Sequence, residues 1–336
     1  MMRRLLTLLA TASALLAAAP ALAAGGGRLQ VVARVPGPDG GWDYASFDAA
    51  RHRVYIAHAS TVLSLDVADN KLNTRFAAGA GLHEIVVVPH ANLLVTTNSA
   101  DNTARILRAS DGSLIKSLVV PADADGAAYD PATGFVVVIN GDAGVLTLID
   151  PRARQVVGQI NVGGKLEFGQ PDGRGRFYVN VASAGQVAVV DLRARKVLAR
   201  YQMADCQRPT GLAYVEGNRV VSSCQGLAKV LDAGSGHEIA SFKIGGFPDA
   251  VIYDPRRHIA MIPTALDGRL TVISLAGATN DTVVASVPTQ PGARTGAVDP
   301  STGRVYLPTA QYYPLVPGKR PTTKPGTFQI LVLDRR

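Results

Sequence analysis

In 336 residues the chain has only two cysteines, Cys206 and Cys224, and one tryptophan, Trp42. No spacing of residues matches a zinc finger, a P-loop, a nucleophile elbow or a haem-attachment motif. No Lys/Arg-rich run occurs, and no stripe interleaves aromatic with basic residues, so nucleic acid or another acidic polymer is not an expected partner. Beyond the N-terminus no apolar run approaches the length needed to span a bilayer. Charge is also sparse: 18% of residues are charged against 47% hydrophobic, a balance that suits a large core. The net charge of +8 is spread thinly along the chain, and Arg3 and Arg4 carry two of it, leaving +6.

Those two arginines open a secretory pattern. Leu5 to Ala19 is almost wholly apolar, and Ala21-Leu22-Ala23 supplies an A-x-A arrangement of small residues. The run is too short to serve as a membrane anchor. Cleavage after Ala23 is therefore expected, leaving residues 24–336 as a single exported domain, periplasmic or secreted. No cysteine near the cleavage site offers a lipid anchor, and Arg3-Arg4 alone is a weak signal for the twin-arginine route.

What the mature chain does contain is a repeat. Apolar strands ending in Asp recur at Asp66, Asp150, Asp191 and Asp232, with weaker copies ending at Arg108 and Ser274. These six positions are separated by 42, 42, 41, 41 and 42 residues. A last copy ends at Asp334, 60 residues on, and so carries an insertion of about 18 residues after Thr309. A second anchor recurs upstream in every copy: Phe47-Asp48, Val88-Pro89, Tyr129-Asp130-Pro131, Pro171-Asp172, Tyr214-Val215, Tyr253-Asp254-Pro255 and Val298-Asp299-Pro300. A turn rich in Gly, Arg, His or Asn follows each anchor. Each copy therefore reads as four short strands with little room for a helix. Four antiparallel strands per 40-odd residues is the arithmetic of a β-propeller blade, and seven copies predict an all-β, seven-bladed propeller. The last copy lacks a fourth strand. Residues 29–35, which resemble the fourth strand of other copies such as residues 156–162, are expected to supply it and close the ring.

Several second strands end alike: Tyr55-Ile56-Ala57-His58, Val95-Thr96-Thr97-Asn98, Val138-Ile139-Asn140 and Tyr178-Val179-Asn180. This resembles the YVTN-type, or YncE-like, propeller repeat proteins of the bacterial envelope, across nearly the whole mature chain. The resemblance implies a seven-bladed periplasmic propeller and little about activity, because the architecture hosts binders, lyases, lactonases and oxidoreductase subunits. Cys224, Thr264 and Thr309 replace the closing Asn in the last three blades, and the repeated Trp-Asp endings of WD40 blades are absent.

Aligning the copies produces columns. Five residues before each upstream anchor stand Asp43, His83, Asp125, Glu167, Thr210, Asp249 and Arg294, all polar and six of them ionisable. This column falls where the innermost strand begins, so it is expected to ring the mouth of the central channel. Converging acids there need a cation or Arg294 to offset their repulsion. The end of the second strand supplies another polar column near that face: His58, Asn98, Asn140, Asn180, Cys224, Thr264 and Thr309. Neighbours of the first column, Trp42, Tyr44 and Glu84, complete the candidate ligand-binding set. Oxygen ligands from Asp43, Asp125, Glu167 and Asp249 would suit Ca²⁺ or Mg²⁺, whereas His83 and His58 would pull toward Zn²⁺. The insertion, with Tyr312, Tyr313, Lys319, Arg320 and Lys324, leaves from the same face and is a candidate lid. The competing reading is that polar residues at strand ends merely cap turns.

Three functions fit. The first is a periplasmic binding or interaction propeller whose partner is a small molecule or an envelope protein. The second is a metal-dependent lactonase or lyase with His83 as base. The third is an accessory subunit of a redox pathway. A divalent metal is the only cofactor the residues suggest, and a monomer is the expected state. Cys206, in the loop entering the fifth blade, and Cys224, at the end of its second strand, are expected to pair in an oxidising compartment; the rival reading makes Cys224 a free thiol at the mouth.

Overall fold

The computed structural model describes residues 27–277, 280–314 and 321–336, so the secretory pattern at 1–23 lies outside the described residues. The described chain forms 28 strands, numbered β1 to β28 in chain order, and no helix. They make seven separate four-stranded antiparallel sheets, the seven expected blades. Six blades use four consecutive strands. The seventh joins β26 (Ala297–Val298), β27 (Val305–Thr309), β28 (Gln329–Arg335) and β1 (Leu29–Pro36). Closure by the N-terminal strand is thus as the repeat predicts, with β1 outermost.

Alternation explains why the strands read as nearly continuous apolar runs. Along β3 (Arg53–His58), Val54 and Ile56 point into the seam with blade seven, while Tyr55 and Ala57 point into the seam with blade two. Both faces of a blade are buried, so both registers must be apolar. Seven apolar clusters result, one in each seam between neighbouring blades. The tyrosines of the second-strand motif also reach across seams: the Tyr55 hydroxyl donates to the Ala109 carbonyl of blade two, and that of Tyr178 to the Ala233 carbonyl of blade five.

The recurring aspartates are turn caps. The Asp48 carboxylate accepts from the amides of Ala50 and Arg51, and Asp150 accepts from those of Arg152 and Ala153. Asp191, Asp232, Asp254 and Asp299 do the same in their own turns. A side chain that bonds its own backbone two residues on is the local reason Asp marks the period.

Cys206 and Cys224 form a disulfide, with Cα atoms 5.3 Å apart and both residues buried in the seam between blades four and five. Cys224 is therefore no free thiol at the mouth. Closing an 18-residue loop removes chain entropy worth about 3 kcal/mol from the unfolded state.

Candidate functional site

The innermost strands of the first four blades are β2 (Trp42–Asp48), β6 (Leu82–Val88), β10 (Ala124–Asp130) and β14 (Leu166–Pro171). In each, pairing with the second strand slips at the start: between Trp42 and Ala45, Leu82 and Ile85, Ala124 and Gly126, and Leu166 and Gly169. The slipped residues include Asp43, His83, Asp125 and Glu167. A bulge frees a residue from the ladder and re-aims its side chain, and here four bulges turn the acidic column toward the axis. In blades five to seven Thr210, Asp249 and Arg294 precede their shortened inner strands, and the chain reaches the mouth as loop.

His83 is clamped between two acids of neighbouring blades. Its Nδ1 lies 2.6 Å from Asp43 Oδ2 and 3.0 Å from Asp125 Oδ1, and its Nε2 lies 2.9 Å from Ser99 Oγ. Burial opposes a charge on this ring, but the hydrogen bonds and negative charges of Asp125 and Asp43 outweigh it and raise the pKa to about 10. At neutral pH His83 is an imidazolium with both N–H groups engaged. Asp43, His83 and Asp125 are also the only residues of the proposed metal set whose ligand atoms, among the described residues, all lie within 4.8 Å of one another.

The remaining column members complete the ring. The Arg294 guanidinium donates from Nε to Asp249 Oδ2 at 2.8 Å and from Nη2 to the Trp42 carbonyl at 2.8 Å. Burial and the charge on Asp43 push the Asp249 carboxyl up, against the pull of Arg294. Glu167 is pushed up to about 8, mainly by burial and then by Asp125 and Asp249. Thr210 turns instead to the protein, donating to the Pro248 carbonyl.

Just beneath this ring the channel is obstructed. The Tyr44 ring of blade one stacks on Phe168 of blade four with centroids 4.5 Å apart, and the Tyr44 hydroxyl donates to the Asp249 carbonyl of blade six. Glu84, a candidate for the mouth, is placed on the far side of this stack, where it lines a cavity with Phe168 and Gln170 rather than with the mouth acids. Burial raises its carboxyl to about 8, while Oε1 accepts from the Ile85 amide and Ser46 hydroxyl.

The second polar column does not reach the mouth. All seven of its residues are buried. Asn98 accepts from the Ala80 amide, Asn140 donates to the Pro121 carbonyl, Asn180 to the Thr210 and Gly211 carbonyls, and Thr309 to the Pro291 carbonyl. These side chains pin loops that enter the inner strands, so the turn-capping reading holds for this column. His58 is the correction that matters most. It packs edge-on against Phe328 at 4.7 Å and close under Gly40, where a Cβ would come within 2.6 Å of the ring. Burial lowers its pKa and keeps it neutral, and nothing places it among the ligands. Trp42 is likewise a packed residue, against Tyr312 and Phe328, with Arg294 over its ring at 5.6 Å.

The described part of the insertion folds back on this side. Tyr312 pairs with Thr323 and, with Pro321, Thr322 and Thr323, borders a cleft over Trp42 and Arg294. Lys324 lies 6.0 Å over the Tyr313 ring, while Lys319 and Arg320 lie outside the described residues. Phe168 and Ser99 escaped the sequence reading. Phe168 had a signal, because it follows Glu167 as Tyr44 follows Asp43, two aromatics in a row of mostly small residues. Ser99 had none.

The charge pattern has a consequence for stability. Glu167 and His83 both hold their protons more tightly folded than unfolded. Each contribution is full below the unfolded pKa, ordinarily near 4.5 and 6.5, and is lost as pH rises through about 8 for Glu167 and about 10 for His83. The two slopes have the same sign, each at most about 1.4 kcal/mol per pH unit. The thermal midpoint is therefore expected to fall steadily from pH 6 to pH 10, and Glu167→Gln to flatten the part below pH 8. A midpoint that rises over this range in differential scanning fluorimetry would contradict the arrangement.

No family model matches the chain, and no curated protein matches it. Solved structures do. A chain of Kuenenia stuttgartiensis hydrazine synthase matches with a TM-score of 0.69 and 16% identity, over 81% of this chain and 92% of that one. U3-55K matches with a TM-score of 0.75 and 10% identity, over 90% and 98%. The β-propeller domain of Cps50 (Swd1) from Myceliophteria thermophila matches with a TM-score of 0.71 and 11% identity, over 91% and 99%. At these identities the likeness is one of architecture, and it establishes the chain as a seven-bladed β-propeller.

Proposed function

We propose that this protein is an exported binding propeller, of the YVTN type its second strands resemble, whose channel mouth receives a cationic ligand. One observation carries the reading. Asp43, Asp125, Glu167 and Asp249 converge on a single opening, with His83 and Arg294 set among them and Lys165 and Arg208 acting on Glu167 from its flank. Within that ring four carboxylates face two cations, and the raised carboxyl of Glu167 relieves part of their mutual repulsion by keeping its proton. A bound cation takes over that task and lets the carboxyl ionise. An ammonium group of a larger partner fits this electrostatics directly; a divalent metal between Asp43 and Asp125 fits it when it displaces the His83 Nδ1 proton, and the oxygen donors favour a hard cation.

A catalytic role has less support. His83, the candidate base, is held protonated between two acids and bonded at both nitrogens. The likeness to a hydrazine synthase chain is architectural and lends no weight to a redox-pathway role.

Native mass spectrometry with elemental analysis of protein purified from the periplasm tests the proposal, followed by calorimetric titration with Ca²⁺, Mn²⁺ and Zn²⁺. A stoichiometric cation is expected, with affinity at least tenfold lower in Asp43→Asn/Glu167→Gln. Equal affinity in parent and variant would remove the mouth as the site.

A further inference from the structure

The Tyr44–Phe168 stack leaves a second compartment on the far side of the channel. Two adjoining lobes of ≈ 380 Å³ and ≈ 370 Å³ share Ser46, Phe47, Glu84, Phe168 and Gln170 in their walls. None of the mouth residues Asp43, His83, Asp125, Glu167, Asp249 or Arg294 lines either lobe. Phe47, Ala49 and Pro300, at the ends of the inner strands and in the turns beyond them, place this chamber toward the opposite face of the propeller. Each lobe is within the size range of small-molecule sites.

Glu84 is the feature that packing does not explain. It is only 3% exposed, and both bonds its carboxyl makes, from Ser46 Oγ and the Ile85 amide, fall on Oε1. Oε2 accepts none among the described residues. An apolar side chain would fill this seam without the desolvation penalty of a carboxyl. No Lys, Arg or His lines either lobe, and the negative charges of Asp43 and Asp125 reach Glu84 from the mouth side. Apart from the neutral polar groups of Ser46 and Gln170, the rest of the wall is mostly aromatic or aliphatic.

We propose that this chamber binds a small organic ammonium compound, with the cation beside Glu84 Oε2 and the apolar body against Phe47 and Phe168. The sign of the charge follows from the lining, which repels an anion and offers no cationic group to pair with one. The aromatic faces of Phe47 and Phe168 attract a cation as well as an apolar body. A purely apolar ligand would leave Oε2 desolvated and unpaired.

Calorimetric titration of the whole mature protein with benzyltrimethylammonium, whose charge does not change with pH, is the test. Glu84→Gln retains an oxygen for Ser46 and Ile85 but replaces the carboxyl that ionises against a bound cation with a neutral amide, and it is expected to weaken binding at least tenfold with an unchanged thermal midpoint. Ala128→Leu narrows one lobe without touching Glu84; it is expected to weaken binding as well, and it decides the matter if Glu84→Gln fails to fold. The mouth variant Asp43→Asn/Glu167→Gln is expected to bind within twofold of the parent. Failure of the parent to bind at millimolar concentration, or equal binding by the parent and Glu84→Gln, overturns the chamber. Loss of binding in the mouth variant alone also overturns it, while leaving the mouth reading intact.

Discussion

Deleting residues 29–36 is expected to make the protein aggregate. The strand β1 pairs with β28 along its whole length, from Leu29 opposite Arg335 to Pro36 opposite Gln329. Leu29 and Val35 are buried in the two seams that flank the seventh blade. Burial of two such side chains stabilises by about 3–6 kcal/mol, before any backbone pairing, against a total stability of about 5–15 kcal/mol for a typical domain. The deletion would also leave the N–H and C=O groups of β28 as an open edge, a template for pairing with another chain. Size-exclusion chromatography with light scattering and a thermal scan check this. A monomer with the parent's midpoint would show that the closure is dispensable.

The largest single-residue loss of stability is expected at Arg219. Only 3% exposed, it begins the second strand of blade five and reaches into the loop between the third and fourth strands of blade six. Its guanidinium donates to the carbonyls of Glu216, Gly277 and Leu275 and to Asp281 Oδ1, the last at 2.6 Å. Asp281 has a fully buried side chain, and its other oxygen has no partner. Arg219→Ala strands that carboxylate and three carbonyls, and removing one member of a buried pair costs about 3–5 kcal/mol. Arg219→Lys is expected to recover little, because one ammonium cannot serve four acceptors arranged for a fork. In Arg219→Ala/Asp281→Ala the loss should be smaller than the sum of the single losses, since the stranded charge is gone. Urea denaturation measures all three. A loss below about 1 kcal/mol in Arg219→Ala would show the pair to be incidental.

Arg219 illustrates what the chain does not announce. It follows Glu216, Gly217 and Asn218 in an ordinary polar turn, and nothing nearby hints at Asp281, 62 residues on. The candidate site divides in the same way. Asp43, His83, Asp125, Glu167, Asp249 and Arg294 were legible as one column because each stands at a fixed distance from a turn marked by local chemistry. The column at the strand ends was equally regular, yet it faces the blade interior. A shift of one residue sends a strand side chain to the opposite face, and the bulges that decide the shift at the mouth leave no mark in a single repeat. Glu84 was read with the mouth for the same reason. Only the Tyr44–Phe168 contact, between blades three places apart, puts it in a different compartment.

By itself the sequence determined the number of blades, the strand that closes the ring, the turns and the disulfide. Each of these rests on relations within one repeat or on counting repeats, and short-range hydrogen bonding and alternation carry that information. The tertiary structure alone decided which polar residues meet. It clamped His83 between the acids of two neighbouring blades, withdrew His58 beneath Gly40, and split the channel into an acidic mouth and a chamber with Glu84 in its wall. Those outcomes depend on how far seven blades bring their inner strands toward a common axis, a distance that closure of the whole ring sets and no single repeat contains.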